Sequence, residues 1–228
     1  FSVFLTRRAF DQVAMQIAYP RLNVKLAGFL PGLTTLLGVS HQAIDDLALM
    51  RVLPNMTIIE PSGGNQTAAA VRAAAMIDGP VYLRLHKDKK VMTDAKVEKN
   101  LEVGKGQMLR DGDDAVIFAS GYMVAEALLA AETLCMSGIK LAVANMHTLK
   151  PFDCDFVLKH SIRTGVVVSA ENHSVIGGLG SAVAEVLAER PTDEAIQFKR
   201  IGILDTFAEG GTKNYLFDKY GLSARHIT

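Results

Sequence analysis

One stretch, Leu26 to Leu53 (LAGFLPGLTTLLGVSHQAIDDLALMRVL), restricts this chain to few folds. It opens at the end of a β-rich run, Leu22 to Ala27, and crosses a loop bounded by Gly28 and Gly38. Beyond the loop the spacing predicts an amphipathic helix. Ser40 is its expected N-cap, with Asp45 and Asp46 near the positive end of the helix dipole. Ala43, Leu47, Met50 and Leu53 recur at helical spacing and are expected to pack inward. Open α/β sheets bind ligands where such a loop leaves the strand, so His41 is a candidate site residue.

The rest of the chain alternates in the same way. Phe1 to Tyr19 reads as a helix with apolar positions at Phe4, Phe10, Val13, Met15 and Ile17, and residues are expected upstream of it. Asn55–Ile59 and Gly79–Leu85 read as strands and Gly64–Ile77 as the helix between them, which leaves Arg84 at a strand's carboxyl end. A charged stretch containing weak strand signals at Val91–Met92 and Gly106–Leu109 reads as a connection. A second unit follows. Asp114–Ala119, Ile139–Asn145, Gly165–Ala170 and Ile196–Ile203 read as strands. Met123–Met136, Pro151–Lys159, Gly177–Glu189 and Thr212–Tyr220 read as helices, with Pro151 in a first turn. The expectation is two consecutive α/β domains with largely parallel sheets: 1–88, a linker at 89–112, and 113–228.

Composition excludes several classes. Acidic and basic residues balance at 24 each, and no basic run exceeds Lys87-Asp88-Lys89-Lys90, so nucleic acid is not an expected partner. No apolar stretch reaches the roughly 20 residues of a membrane span. Cys135 and Cys154 have no disulfide spacing and suit a reducing cytoplasm, with Cys154 expected as a buried thiol. Gly177-Gly178-Leu179-Gly180 could cradle a phosphate at a helix start, but close helix–sheet packing, which also needs small residues, is the expected reading. Glu171-x-His173 lacks a second metal-ligating pair, so no metal site is expected, and Met50, Met56 and Met76 read as core fillers.

Ser40 to Arg51, then Leu53-Pro54-Asn55-Met56, Pro61 and Pro80 to Arg84, resemble the pyrimidine-binding domain of transketolases. Glu171-Asn172-His173, Gly177 to Val183 and Thr206 to Gly211 resemble the family's C-terminal domain. The resemblance implies a C-terminal section of a split or truncated transketolase, incomplete at its N-terminus. Such an enzyme transfers a two-carbon ketol unit from a ketose to an aldose, using thiamine diphosphate. A diphosphate-binding N-terminal section would hold the diphosphate and Mg²⁺, and this section would form a homodimer. On the same resemblance Phe1 and Phe4 pack on the aminopyrimidine, and His41 stands beside the reactive carbon as the catalytic histidine. Arg7 faces the substrate, as in deoxyxylulose-phosphate synthases, and Arg84 binds a substrate phosphate.

Two departures bear on the sugar. The family's donor loop carries a histidine and an acidic residue where this chain has Phe29 and Leu37, which puts the usual sugar-phosphate donor in doubt. The catalytic glutamate is expected upstream of Phe1, and Glu60 does not match its motif. Within the superfamily the alternatives are a 1-deoxyxylulose-5-phosphate synthase or the β subunit of a 2-oxo acid dehydrogenase. Outside enzymes the alternative is a dimerising scaffold.

Overall fold

The structure is a computed structural model that describes residues 1–87, 101–189 and 195–228. In the first sheet β1 (Lys25–Phe29), β2 (Thr57–Ile59) and β3 (Val81–Leu85) run parallel in the order β1-β3-β2. All five residues of β3 are buried, as a central parallel strand covered on both faces requires. The second sheet contains β4 (Gln107–Arg110), β5 (Ala115–Ala119), β6 (Leu141–Asn145), β8 (Val166–Ser174) and β9 (Gln197–Ile203). Its order is β4-β6-β5-β8-β9, with β4 alone antiparallel to its neighbour. A short strand, β7 (Thr148–Lys150), leaves the second unit and pairs antiparallel with β2 of the first sheet. Its three residues are too few to show a period in the sequence.

Several elements differ from the sequence reading. The N-terminal helix is not uniform: α1 (Phe10–Val13) is flanked by π-helical turns at Phe4–Arg8 and Ala14–Ala18. A π turn is wider and shifts the helix phase. Val3, Val13 and Ala18 therefore face the core, while Met15 faces solvent. The helix after the glycine loop, α2 (Asp46–Val52), starts well past Ser40, with Asp45 in the N-cap position. A bridge between Pro31 and Ala43, and the bond from Gly32 N–H to the Ala43 carbonyl (2.8 Å), hold the chain out of helix until then. Ala43, Leu47, Met50 and Leu53 are nevertheless all buried.

α3 (Gly64–Met76) covers the first sheet, and Met76 lies exposed at its end instead of in the core. α4 (Met123–Met136), α5 (Cys154–Thr164), α6 (Leu179–Ala188) and α7 (Lys213–Lys219) belong to the second unit, as does a final turn, α8 (Ala224–Ile227). Pro151 precedes α5 by three residues rather than opening it, because Asp153 caps the helix. Cys154, as the first residue of α5, faces solvent, and Cys135 is exposed too. Both thiols are free. β4 lies within the stretch read as a connection, and the strand signal at Val91–Met92 falls outside the described residues.

The units share a core. Leu47, Met50 and Met56 of the first unit belong to one buried apolar cluster with Phe118, Ala142 and Leu179 of the second. Among the described residues no helix is long and apolar enough to cross a membrane.

One side chain pins β4 against α5. Asp153 accepts from Phe156 N–H (3.2 Å) as the helix cap and from Gly106 N–H (3.0 Å) just before β4. Asp153→Ala is expected to cost about 1–2 kcal/mol in urea denaturation, and Asp153→Asn less, since asparagine caps as well. Equal stability of wild type and Asp153→Ala would show that the cap contributes nothing.

Candidate active site

Three rings meet where the N-terminal helix passes the glycine loop. The Phe1 and Phe4 ring centroids lie 5.5 Å apart, and His41 stands edge-on to both, at 5.1 and 5.0 Å. Phe1 is 45% exposed, Phe4 and His41 less so. Ser40 Oγ lies 2.9 Å from His41 Nδ1, and Nε2 makes no hydrogen bond among the described residues. This is a half-open aromatic patch with one free imidazole nitrogen. Its flat apolar faces suit a heteroaromatic ring, and its free nitrogen can hydrogen-bond a ligand.

Arg7 follows Phe4 on the same helix and forms a two-pronged ion pair with Asp45, at 2.8 and 2.9 Å. That pair ties the helix bearing Phe1 and Phe4 to the segment bearing His41. It keeps about a third of each side chain in solvent. Beyond it the loop shows apolar side chains outward, with Phe29 and Leu37 both about half exposed.

Arg84, expected at a substrate phosphate, is turned into the interior. It has no exposed surface, and its guanidinium is occupied within the chain. Nε and Nη2 donate to the two oxygens of Asp46 (2.8 and 2.9 Å), Nη1 to Glu60 Oε1 (2.5 Å), and Nη2 also to the Ala43 and Asn172 carbonyls. Tyr82 donates to Asp46 (2.7 Å), and Ser120 donates to Glu60 Oε2 (2.7 Å). Burial alone would raise the Glu60 carboxyl. The Arg84 guanidinium, with His86 and Ser120, outweighs burial and holds it at about 2, against an ordinary 4.5. Glu60 is thus an ionised structural partner of Arg84; Asp46, which sequence reasoning took only for a residue favoured by the helix dipole, is the second carboxyl that holds the guanidinium.

The glycine run at Gly177–Gly180 is occupied by the chain's own anion. Glu171 accepts from Leu179 N–H (2.7 Å) and Gly180 N–H (2.8 Å) at the start of α6. A Cβ on Gly178 would stand 1.9 Å from Glu171 Oε2, so glycine is required by that approach. Burial raises the Glu171 carboxyl, against the pull of His173 and the two amides. His173 donates from Nδ1 to the Ser174 carbonyl (2.7 Å), and its Nε2 faces Ala48 N–H (3.4 Å). No cluster of three or more His, Cys, Asp or Glu side chains among the described residues could hold a metal ion.

The sequence reading missed Asp45, Asn172 and Gln42 as contributors here. Asn172 binds loop residues on both sides of its amide, from Leu33 N–H (2.9 Å) and to the Pro31 carbonyl (3.3 Å). Gln42 Nε2 donates to the Glu209 carbonyl (3.0 Å). Their partners lie up to 167 residues away, and no local pattern signals them.

Two largely parallel sheets with helices packed on them define an α/β protein of two units. Residues 1–90 match the family model for the transketolase pyrimidine binding domain, and residues 104–227 that for the transketolase C-terminal domain. The chain belongs to the transketolase family and corresponds to its C-terminal section. It is 46% identical over 228 residues to a 6-deoxy-6-sulfo-D-fructose transketolase subunit of Clostridium sp. (strain MSTE9), covering all of this chain and 70% of that protein. It is 40% identical to a protein of Methanocaldococcus jannaschii named as a transketolase C-terminal section, covering 71% of it. A solved split-gene transketolase, an inactive β4 tetramer, matches with a TM-score of 0.89 and 46% identity, over 100% of this chain and 72% of that one.

Replacing Arg84 with methionine leaves Asp46 and Glu60 buried without their cation. The expected loss is about 3–5 kcal/mol, read by urea denaturation; a variant as stable as wild type would make the ion cluster dispensable. Glu60 also sets an acid limit. Its folded value lies below its unfolded one, so its contribution is complete above pH 4.5 and is lost as pH falls toward about 2. That contribution is about 3 kcal/mol from the shift. Glu60→Gln should flatten the loss of stability over this range.

Proposed function

We propose that this chain forms the pyrimidine side of the active site of a thiamine diphosphate-dependent transketolase, which moves a two-carbon ketol unit from a ketose to an aldose. The observation that carries the reading is the meeting of Phe1, Phe4 and His41 in one half-open patch. Thiamine diphosphate, when bound, supplies the carbon nucleophile that takes up the ketol unit. Phe1 and Phe4 would cover the aminopyrimidine and exclude water from it. His41 would hydrogen-bond a substrate oxygen and move its proton through Nε2. Arg7 would meet a polar substrate group with the part of its guanidinium that Asp45 leaves free. Phe29 and Leu37 would line the donor side, favouring a donor with less polar surface there.

A diphosphate-binding section would hold the diphosphate and Mg²⁺. Exposed apolar side chains on the two units, among them Leu36, Leu37, Leu204 and Phe207, support contact with that section and with a second copy of this chain. Two free, exposed thiols fit a cytoplasmic setting.

His41→Ala, assayed with the diphosphate-binding section, is expected to lower turnover by about 10²–10³-fold, the scale of one lost transition-state hydrogen bond. Cofactor affinity should change far less. Undiminished turnover would remove His41 from the chemistry. In titration calorimetry the chain by itself should bind Mg²⁺–thiamine diphosphate weakly and gain affinity when the diphosphate-binding section is added. Micromolar binding with ketol transfer by the chain alone would overturn the two-section site.

A further inference from the structure

The loop that carries His41 has little of its own to hold it. Apart from the Gly32 N–H bond to the Ala43 carbonyl that closes its base, its internal bonds are short-range: Thr34 Oγ1 to the Pro31 carbonyl, Leu37 N–H to Thr35 Oγ1, and His41 N–H to the Gly38 carbonyl. Leu36, Leu37 and Val39 project outward. Arg7 ties the loop's far end to the N-terminal helix through Asp45 and the Gln42 carbonyl, and the second unit holds the loop at three further points. At its base, Asn172 bonds both Pro31 and Leu33, and Gly32 passes so close that a Cβ would stand 2.3 Å from the Asn172 carbonyl. Next, the Leu33 side chain is fully buried in an apolar cluster with Ile117, Tyr122 and Met123. At its tip, Gln42, the neighbour of His41, donates to the Glu209 carbonyl, and Gly38 packs on Gly210. Gln42 is 1% exposed and, among the described residues, its Oε1 has no partner and the Glu209 carbonyl is the one hydrogen-bond anchor of that amide.

From these contacts we propose that the second unit positions His41, with Asn172 gripping the base of the loop and the Glu209–Gly210 turn gripping its tip. The inference rests on the reading of His41 given above and extends it. On this view the C-terminal unit, which contributes no residue to the ring cluster, sets where the imidazole stands relative to Phe1 and Phe4. A displacement of about 1 Å at a reacting group can cost on the order of 10²-fold in rate, so such support has a functional consequence.

The test uses a push from the far side of the contact. In Gly210→Ala the new Cβ would meet the Leu36 carbonyl oxygen at 2.8 Å, with Gly38 just beyond, so the loop must shift. Gln42→Met removes the tip hydrogen bond while keeping the side chain's length. The full chain, labelled at its histidine rings, is followed by NMR, with His41 assigned from the His41→Gln spectrum. Ketol transfer is measured after addition of the diphosphate-binding section. Both variants should shift the His41 ring signals and leave those of His160 and His226 in place. Turnover should fall by about 10²-fold, more in kcat than in KM, with the thermal midpoint little changed. Unmoved His41 signals in both variants would overturn the positioning role, whatever happens to turnover. Shifted signals with full turnover would keep the positioning and overturn the catalytic reading of His41 instead.

Discussion

Arg84 sits beyond the reach of solvent, and its charge is shared between Asp46 and Glu60, which come from two different elements. A buried ion cluster is stable only when its geometry is complete, because the cost of desolvating each charge is met by close, well-aligned partners. Completing this one requires β3 for Arg84, the first turn of α2 for Asp46, the end of β2 for Glu60, and Ser120 and Asn172 from the second unit. The first unit therefore cannot assemble its centre without the second. The same cluster explains where α2 begins. Asp46 must open the helix facing Arg84 and Tyr82, so the residues from Ser40 to Asp45 remain outside it, and His41 is left on a loop rather than in a helical first turn.

The coupling continues outward from that centre. β7 crosses from the second unit to extend the first sheet, and the residues of α2 share a core with Phe118 and Leu179. Glu171 supplies the anion at the start of α6, which accounts for the glycine run without any phosphate. The ring cluster of Phe1, Phe4 and His41 stands apart from all this, half open and carrying a free nitrogen. The chain thus combines a buried ion cluster shared by its two units with a half-open ring patch.

The elements of the fold were largely legible in the sequence. Alternation of strand and helix patterns predicted two largely parallel sheets, and the apolar run AVIFA predicted a buried strand, because a strand covered on both faces is a near-continuous apolar run. The inward positions Leu47, Met50 and Leu53 were legible from helical spacing even though the helix starts later than its cap signal suggested. Phe1, Phe4 and Arg7 were singled out by resemblance to a family and His41 first by its place on the loop, and their meeting was not visible in any local pattern.

What the tertiary structure decided were the pairings between distant residues. Arg84 looked like a ligand residue at a strand end and became the centre of a buried ion cluster, because its carboxylate partners lie 24 and 38 residues away. Arg7 acquired Asp45 across 38 residues, and the His41 loop acquired Asn172 and Glu209 across still larger separations. Cys154 and Met76 turned outward at helix ends, where hydropathy alone had placed them inside. Local sequence sets backbone preference and which face is apolar, since those depend on neighbours within a turn or a strand. Whether a charge is buried, and against what, depends on long-range contacts that exist only once both sheets have come together.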